Sequence, residues 1–278
     1  MAKNKKTAEQ EFYTYYRELY HQRWEKLESA IKTLENYYPI KIGKKEYYID
    51  KASAYPVIAL NIQQGNNILD MCAAPGGKTL LIAERLNGTG TLTANEKSPA
   101  RKARLDKVLS EHLPEELRKN IHTTCRDAEK WGLYQQNTYD RILVDVPCSS
   151  EAHLIKNPKE LKKWTKSRSK NLAIKQYAIL SSAFMALAKG GYIVYSTCAL
   201  SPLENDKTIE KLIKKHGKKL RILELQNTTD IPKQIKLQLI EKTEYGYHIL
   251  PDKNKGAGPI YFCIIEKTEE TQAPAKKR

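Results

Sequence analysis

Between about residue 65 and residue 200, short apolar runs alternate with longer amphipathic stretches. The apolar runs, rich in aliphatic and β-branched residues, predict strands, and the stretches between them have the apolar spacing of helices. The predicted strands are 68–71, 90–94, 121–124, 141–146 and 192–196, and the predicted helices are 79–86, 99–109 and 172–188. Strands that alternate with helices form βαβ units, so we expect an α/β fold around a mostly parallel, doubly wound sheet.

The segments on either side of this region have different patterns. Apolar residues at helical spacing predict one or two amphipathic helices between residues 8 and 37. Near the other end, "GYHILPD" (246–252) and "GPIYFCIIEK" (258–267) predict two strands of an antiparallel hairpin at one edge of the sheet. We therefore expect a helical region over 1–45, an α/β domain over 46–267 and a disordered tail over 268–278.

Charge and cysteine content restrict the function and the compartment. The net charge of +16 favours a polyanionic partner such as nucleic acid, although a proteome with generally basic surfaces would give the same excess. No run approaches the roughly 18 apolar residues of a membrane span, and the lysine-rich start lacks an apolar signal core. The five cysteines are odd in number and widely spaced, without a CxxC or Cys/His cluster. We expect no metal site, no membrane partner, and reduced thiols in a cytoplasmic protein.

The segment "ILDMCAAPGGKT" (68–79) joins the first predicted strand to the first predicted helix. The strand ends at Asp70, and the turn that follows is made of small residues including Gly76 and Gly77. Small residues let backbone approach a ligand closely, and a helix N-terminus offers free N–H groups. The turn lacks the first glycine of GxxxxGK[ST] and does not match GxGxxG. It fits a ligand held by backbone and carboxylates better than a phosphate cradle.

Acidic residues follow the next two predicted strands as well. Glu96 ends the second strand, where a carboxylate can accept both hydroxyl protons of a ribose, and Asp127 follows the third, where it can accept from an adenine amino group. Taken alone, Glu96 could equally be an acid favoured at a helix start. Three acids at three successive strand ends, after a glycine turn, together predict a nucleoside pocket.

Two cysteines follow the fourth and fifth predicted strands, in "DVPCSS" (145–150) and "YSTCALSPLEND" (195–206). If these strands are neighbours, Cys148 and Cys198 share one cleft with Asp145 and lie near Lys78. A buried cysteine is usually only a small apolar side chain. Two thiols beside a cation, which favours the reactive thiolate, instead indicate chemistry.

These segments resemble the cofactor loop, the PC motif and the TC motif of RNA cytosine-5 methyltransferases of the Nol/Nop/Sun group. The resemblance extends from about residue 40 to residue 266 and is strongest to the mitochondrial-type branch and its bacterial relatives. It implies a Rossmann-like methyltransferase with a seven-stranded sheet, S-adenosylmethionine as cofactor, and rRNA or tRNA as substrate, acting as a monomer.

The resemblance also implies residue roles. Cys198 of the TC motif corresponds to the nucleophile and Cys148 of the PC motif to the residue that helps release the product. Asp145 corresponds to a residue beside the target base and the methyl donor, and Lys78 to a lysine near the base. The implied cofactor contacts are Cys72, Ala73, Ala74, Pro75, Gly76, Gly77, Lys78, Glu96, Arg101, Asp127 and Asp145.

Residues 156–170 carry seven basic side chains around one tryptophan, between the two cysteine motifs. Basic groups can follow a phosphate backbone and an indole can stack on a base, so we expect RNA contacts from Lys162, Lys163, Trp164 and Lys166. We expect the region 1–45 to contact RNA as well. The alternative for 156–170 is a solvated helix with a packed tryptophan, and packing is also the simpler role for the tyrosines at 13, 15, 16 and 20.

Three other functions fit parts of the pattern. A DNA cytosine methyltransferase would use the PC thiol as nucleophile and would not need Cys198. An amino-group methyltransferase would carry a D/N-P-P-Y/F element in place of "DVPC". An RNA-binding factor that has kept only the fold would be expected to have lost a thiol or the cofactor loop, and this chain retains both.

Overall fold

The computed structural model of the chain describes residues 7–42, 45–225 and 236–269. The α-helices are α1 (Ala8–Tyr20), α2 (Trp24–Thr33), α3 (Tyr55–Ala59), α4 (Gly77–Leu86), α5 (Pro99–His112), α6 (Glu115–Arg118), α7 (Trp131–Tyr134), α8 (Glu151–Lys156), α9 (Pro158–Leu161), α10 (Lys166–Ala186) and α11 (Asp206–His216). The strands are β1 (Tyr37–Lys41), β2 (Glu46–Asp50), β3 (Asn67–Asp70), β4 (Thr91–Asn95), β5 (Ile121–Thr124), β6 (Tyr139–Asp145), β7 (Leu187–Thr197), β8 (Leu220–Leu223), β9 (Glu241–Lys242), β10 (Tyr247–Ile249) and β11 (Ile260–Lys267).

One large sheet forms the centre of the fold, in the order β5-β4-β3-β6-β7-β11-β10-β9, with β8 also paired to β11. The first five strands are parallel, and β11 runs antiparallel to β7. The predicted α/β fold with an antiparallel hairpin, formed by β10 and β11, is therefore confirmed. The described sheet has nine strands where seven were expected, because β8 and β9 join the five parallel strands and the hairpin.

Successive side chains of the parallel strands point to opposite faces of the sheet, and each face is covered by its own apolar cluster. Leu143 and Val194 pack on one face, while Leu69, Ile142 and Val144 pack on the other. Strands buried on both faces read as continuous apolar runs, which is why the sequence reveals them clearly. The main boundary errors are that α10 begins at Lys166, six residues before the predicted start at 172, and that β7 begins at Leu187, where a helix to 188 was predicted.

The N-terminal helices pack against the α/β region through a third cluster. Phe12, Tyr16 and Trp24 are buried there with Leu154 of α8 and Trp164, which precedes α10. Strands β1 and β2 pair with each other across the proposed boundary at residue 45, and the division into two regions stays a prediction. Of the tail expected to be disordered, residues 270–278 lie outside the described residues.

No helix among the described residues is long and apolar enough to cross a membrane. Within the same ranges, no group of three or more His, Cys, Asp or Glu side chains is arranged to hold a metal ion.

Candidate active site

The loop between β3 and α4 borders a cavity of about 220 Å³. Gly76, just before α4, has φ of 117°, a left-handed conformation that favours glycine. A Cβ on Gly77 would lie 2.9 Å from the ring of Tyr47, so this helix start has no room for a side chain. The rest of the wall comes from Asp145 and from the segment 47–53, which the sequence analysis did not assign to the site.

Asp70 ends β3 beneath this loop and is fully buried. Thr79 Oγ1 donates to Asp70 Oδ2 over 2.7 Å, while Oδ1 has no hydrogen-bond partner among the described residues. Burial raises the pKa of this carboxyl to about 7, since a charged carboxylate is poorly solvated there. The group therefore changes charge near neutral pH.

Glu96 and Arg101 hold the loop from the side of β4. Arg101 Nη2 donates to the carbonyl of Ala74 over 2.8 Å, and its Nη1 lies 3.2 Å from Glu96 Oε2. Glu96 Oε1 accepts from the backbone N–H of Ser98, the N-cap residue of α5. The buried Glu96 carboxylate therefore lies at the start of α5. Through Arg101 it is also linked to the loop between β3 and α4.

Asp127 lies beyond β5, the neighbour of β4. Lys97 Nζ is 2.9 Å from Asp127 Oδ2, and this hydrogen bond lowers the pKa of the carboxyl. The strand order β5-β4-β3 places Asp127, Glu96 and Asp70 after three adjacent strands at one edge of the sheet. Their assignment to ribose and adenine stays a prediction.

Cys148 and Cys198 meet because β6 and β7 are adjacent parallel strands, with Asp145 and Ser196 in register. Their Sγ atoms are in contact, and the Cα atoms are 6.3 Å apart. The predicted convergence in one cleft is confirmed. The two cysteines are 50 positions apart in the chain, and the expectation that all five thiols are reduced stays a prediction.

Asp145 is fixed at the mouth of this cleft. Lys78 Nζ lies 2.8 Å from Asp145 Oδ2, and Ser196 Oγ donates to Asp145 Oδ1 over 2.7 Å. Ser150 Oγ lies 3.3 Å from the Sγ of Cys198 and 3.5 Å from that of Cys148. One cleft therefore joins the thiols to an ion pair that borders the cavity.

Behind the thiols lie two buried carboxylates that the sequence analysis missed. We call residues 146–150 the PC loop and residues 198–205 the TC loop. Glu204 of the TC loop accepts from the backbone N–H of Ser149 over 3.0 Å and from Gln176 over 2.8 Å. Burial and the nearby charge of Glu151 raise the pKa of Glu204. The sequence signal that could have identified these carboxylates is that a glutamate follows each cysteine closely, Glu151 after Cys148 and Glu204 after Cys198.

In the basic segment 156–170, the tryptophan is buried and the three lysines predicted to contact RNA are exposed. Trp164 is only 1% exposed and packs edge-on against Phe12, so the prediction that it stacks on RNA is wrong. The aromatic cluster of α1 supplies an apolar site for the indole, which a local reading of the charges could not show. Lys162, Lys163 and Lys166 are exposed, and their contact with RNA stays a prediction.

The profile of the family described as "16S rRNA methyltransferase RsmB/F" matches residues 57–262. The chain belongs to this family. The match includes the cofactor-loop segment and both cysteine motifs, and the family-level resemblance is confirmed.

Individual relatives agree with this assignment. The chain is 35% identical over 239 residues to "5-cytosine rRNA methyltransferase NSUN4" of Mus musculus, covering 81% of this chain and 61% of the relative. It is 35% identical over 227 residues to "tRNA (cytosine(34)-C(5))-methyltransferase, mitochondrial" of Danio rerio, covering 81% and 61%. The chain thus spans about 60% of the length of these curated relatives.

A solved structure shares the fold. NSun6 of Pyrococcus horikoshii with SFG, an analogue of S-adenosylmethionine, superposes with a TM-score of 0.66 at 26% sequence identity. The match covers 81% of this chain and 54% of that one.

Proposed function

We propose that this chain transfers a methyl group from S-adenosylmethionine to C5 of a cytosine in RNA. The observation that carries the proposal is the contact between Cys148 and Cys198 in a cleft bordered by the Lys78–Asp145 ion pair. Family membership and the names of the relatives support the same reaction.

The cavity and its surroundings suit S-adenosylmethionine. The glycine turn lets the backbone approach a ligand closely, and the first N–H groups of α4 are free to donate. Asp70 Oδ1, which has no hydrogen-bond partner in the described part of the chain, and Asp145 offer acceptors for an ammonium group. Glu96 and Asp127 would take the ribose and the adenine. When bound, this cofactor supplies an electrophilic methyl group.

Cytosine C5 is too weak a nucleophile to react without help, and the thiols provide it. In the reduced pair, the Cys198 thiolate forms a bond to C6, and the electron pair displaced to C5 makes that carbon nucleophilic. Asp145, held by Lys78 and Ser196, hydrogen-bonds the N3–N4 edge of the base and favours this addition. After methyl transfer a base removes the C5 proton, the C5–C6 double bond re-forms and the Cys198 thiolate leaves. Cys148 assists this release.

The substrate class follows from the same chemistry. A base must leave its stack to reach a thiol in such a cleft, so an unpaired cytosine in a loop or single strand is the natural target. One relative is named for rRNA and the other for tRNA, and we propose one of these two RNA classes. We propose that the chain acts as a monomer, because the thiols and the ion pair come from one chain, and in the cytoplasm, where its thiols stay reduced.

Methylation of RNA by the purified, reduced protein tests this function. Total RNA incubated with isotope-labelled S-adenosylmethionine should yield labelled 5-methylcytidine on nucleoside mass spectrometry, and the Cys198→Ala variant should yield none. Label in another nucleoside, or no label, would contradict the proposal. Bisulfite sequencing of RNA from a deletion strain and its parent would then identify the cytosine.

A further inference from the structure

Two tyrosines one turn apart in α1 reach the loop that carries Cys198. Tyr20 Oη donates to the backbone carbonyl of Leu200 over 3.0 Å. The N–H of Leu200 donates to Glu151 Oε2 over 2.9 Å, and Tyr16 Oη donates to Glu151 Oε1 over 2.5 Å. Residues four apart share one face of a helix. That face of α1 therefore holds both polar groups of the Leu200 backbone, one directly and one through a carboxylate.

The same carboxylate also holds the PC loop. Ser149 Oγ, next to Cys148, donates to Glu151 Oε1. Glu151 is completely buried, and a buried carboxylate is tolerated only when donors surround it. Tyr16, Ser149 and the Leu200 N–H are those donors. One side chain thus connects α1 to both cysteine loops.

The two tyrosines are suited to act as permanent donors. Burial raises the pKa of Tyr16 and of Tyr20, and the Glu151 carboxylate raises both further. Both hydroxyls therefore keep their protons across the working pH range, and the contacts do not depend on pH.

We propose that α1 is a positioning element of the active site, in which Tyr16 and Tyr20, acting with Glu151, fix the TC loop so that the Cys198 thiol meets C6 of the target base. This rests on the proposed function and gives α1 a role besides the RNA contact expected of region 1–45. Attack on C6 needs the sulfur in near-attack geometry, and a displacement of about 1 Å can cost about a hundredfold in rate.

Four variants separate positioning from packing. Tyr16→Phe and Tyr20→Phe each remove one hydroxyl. Glu151→Gln replaces a carboxylate oxygen, which accepts hydrogen bonds, by an amide NH₂ group, which cannot accept from the surrounding donors. Tyr15→Phe is the matched control, because its ring packs near Trp164 in the same aromatic cluster and no hydrogen bond of its hydroxyl occurs among the described residues. We expect kcat to fall about tenfold to a hundredfold in the first three variants, with KM for RNA and affinity for S-adenosylmethionine within about twofold of wild type. The control should match wild type.

A second readout does not depend on methylation. Glutathione disulfide can oxidise Cys148 and Cys198 to a disulfide while two glutathione thiols are released, and the rate reports how the two loops face each other. We expect slower closure in the three variants than in Tyr15→Phe. If wild type methylates no RNA, the proposed function fails, and the closure rates still decide the positioning role.

Three results would overturn the positioning role. One is a kcat and a closure rate equal to those of Tyr15→Phe in variants with wild-type melting temperatures. Another is unchanged closure when methylation itself is absent. The third is a raised KM for RNA with kcat retained, which would make α1 an RNA contact. If Glu151→Gln does not fold, Tyr20→Phe, which removes a single oxygen, decides the matter.

Discussion

Replacing Asp70 by Asn should change how the free energy of unfolding depends on pH. Burial raises the pKa of this carboxyl from 3.8 to about 7. Each pKa unit corresponds to about 1.4 kcal/mol, so the difference amounts to about 4 kcal/mol. A carboxyl with a raised folded pKa stabilises the fold fully below its unfolded pKa, and that stabilisation is lost as the pH rises through the folded value. Wild type should therefore lose about 4 kcal/mol from Asp70 between about pH 4 and pH 8, and Asp70→Asn should not.

Urea unfolding followed by circular dichroism across that pH range measures this difference. The Asn amide oxygen can still accept from Thr79, while the new NH₂ group adds a cost that does not vary with pH. The test therefore compares the slopes of the free energy of unfolding against pH and not its absolute values. Asp127→Asn is a control, because Lys97 lowers the pKa of Asp127 below its usual 3.8, so the stabilisation it brings is gained mostly below this pH range and the variant should run nearly parallel to wild type. Parallel curves for wild type and Asp70→Asn would refute the reasoning.

Three further variants test other parts of the site. Glu96→Ala should weaken S-adenosylmethionine binding by about one to two orders of magnitude, because it removes a charge-assisted contact worth roughly 1.5–3 kcal/mol. Unchanged affinity in calorimetry would show that Glu96 does not contact the cofactor. Trp164→Ala should lower the free energy of unfolding by about 3–5 kcal/mol, and a loss below about 1 kcal/mol would contradict its packing. Replacing Lys162, Lys163 and Lys166 with Ala should reduce the slope of log affinity for RNA against log salt by about 0.7–0.9 for each lost phosphate contact, and an unchanged slope would place these lysines away from RNA.

The parts of the fold that the sequence predicted are those with a strong local pattern. The central strands β6 and β7 are buried on both faces and contain continuous apolar runs, and the predicted strand 121–124 coincides with the partly buried edge strand β5. The two extra strands were not predicted from such a pattern, because β8 has four residues and β9 has two. β8 pairs with the part of the eight-residue strand β11 that β10 leaves free, and β9 pairs with β10.

The candidate site divides in the same way. The cysteines and acids stand at strand ends, where parallel topology alone brings them together. Glu151 and Tyr16 are 135 residues apart, and neither has a local pattern that links it to the other. Trp164 stands among lysines, which suggested exposure, and only the packing of α1 shows why the indole is buried. Contacts between distant segments were thus the part that sequence patterns did not contain.

The different tasks assigned to Cys198 and Cys148 are the central claim, and a denaturing gel tests them most directly. If Cys148 assists release, Cys148→Ala should still attack C6 and transfer the methyl group, but the adduct should break down slowly because proton removal from C5 is impaired. Incubated with substrate RNA and S-adenosylmethionine under reducing conditions, this variant should show a shifted, denaturant-resistant band. Wild type should show little of that band, and Cys198→Ala and the double variant none. A band from Cys198→Ala and none from Cys148→Ala would reverse the two roles and contradict the account.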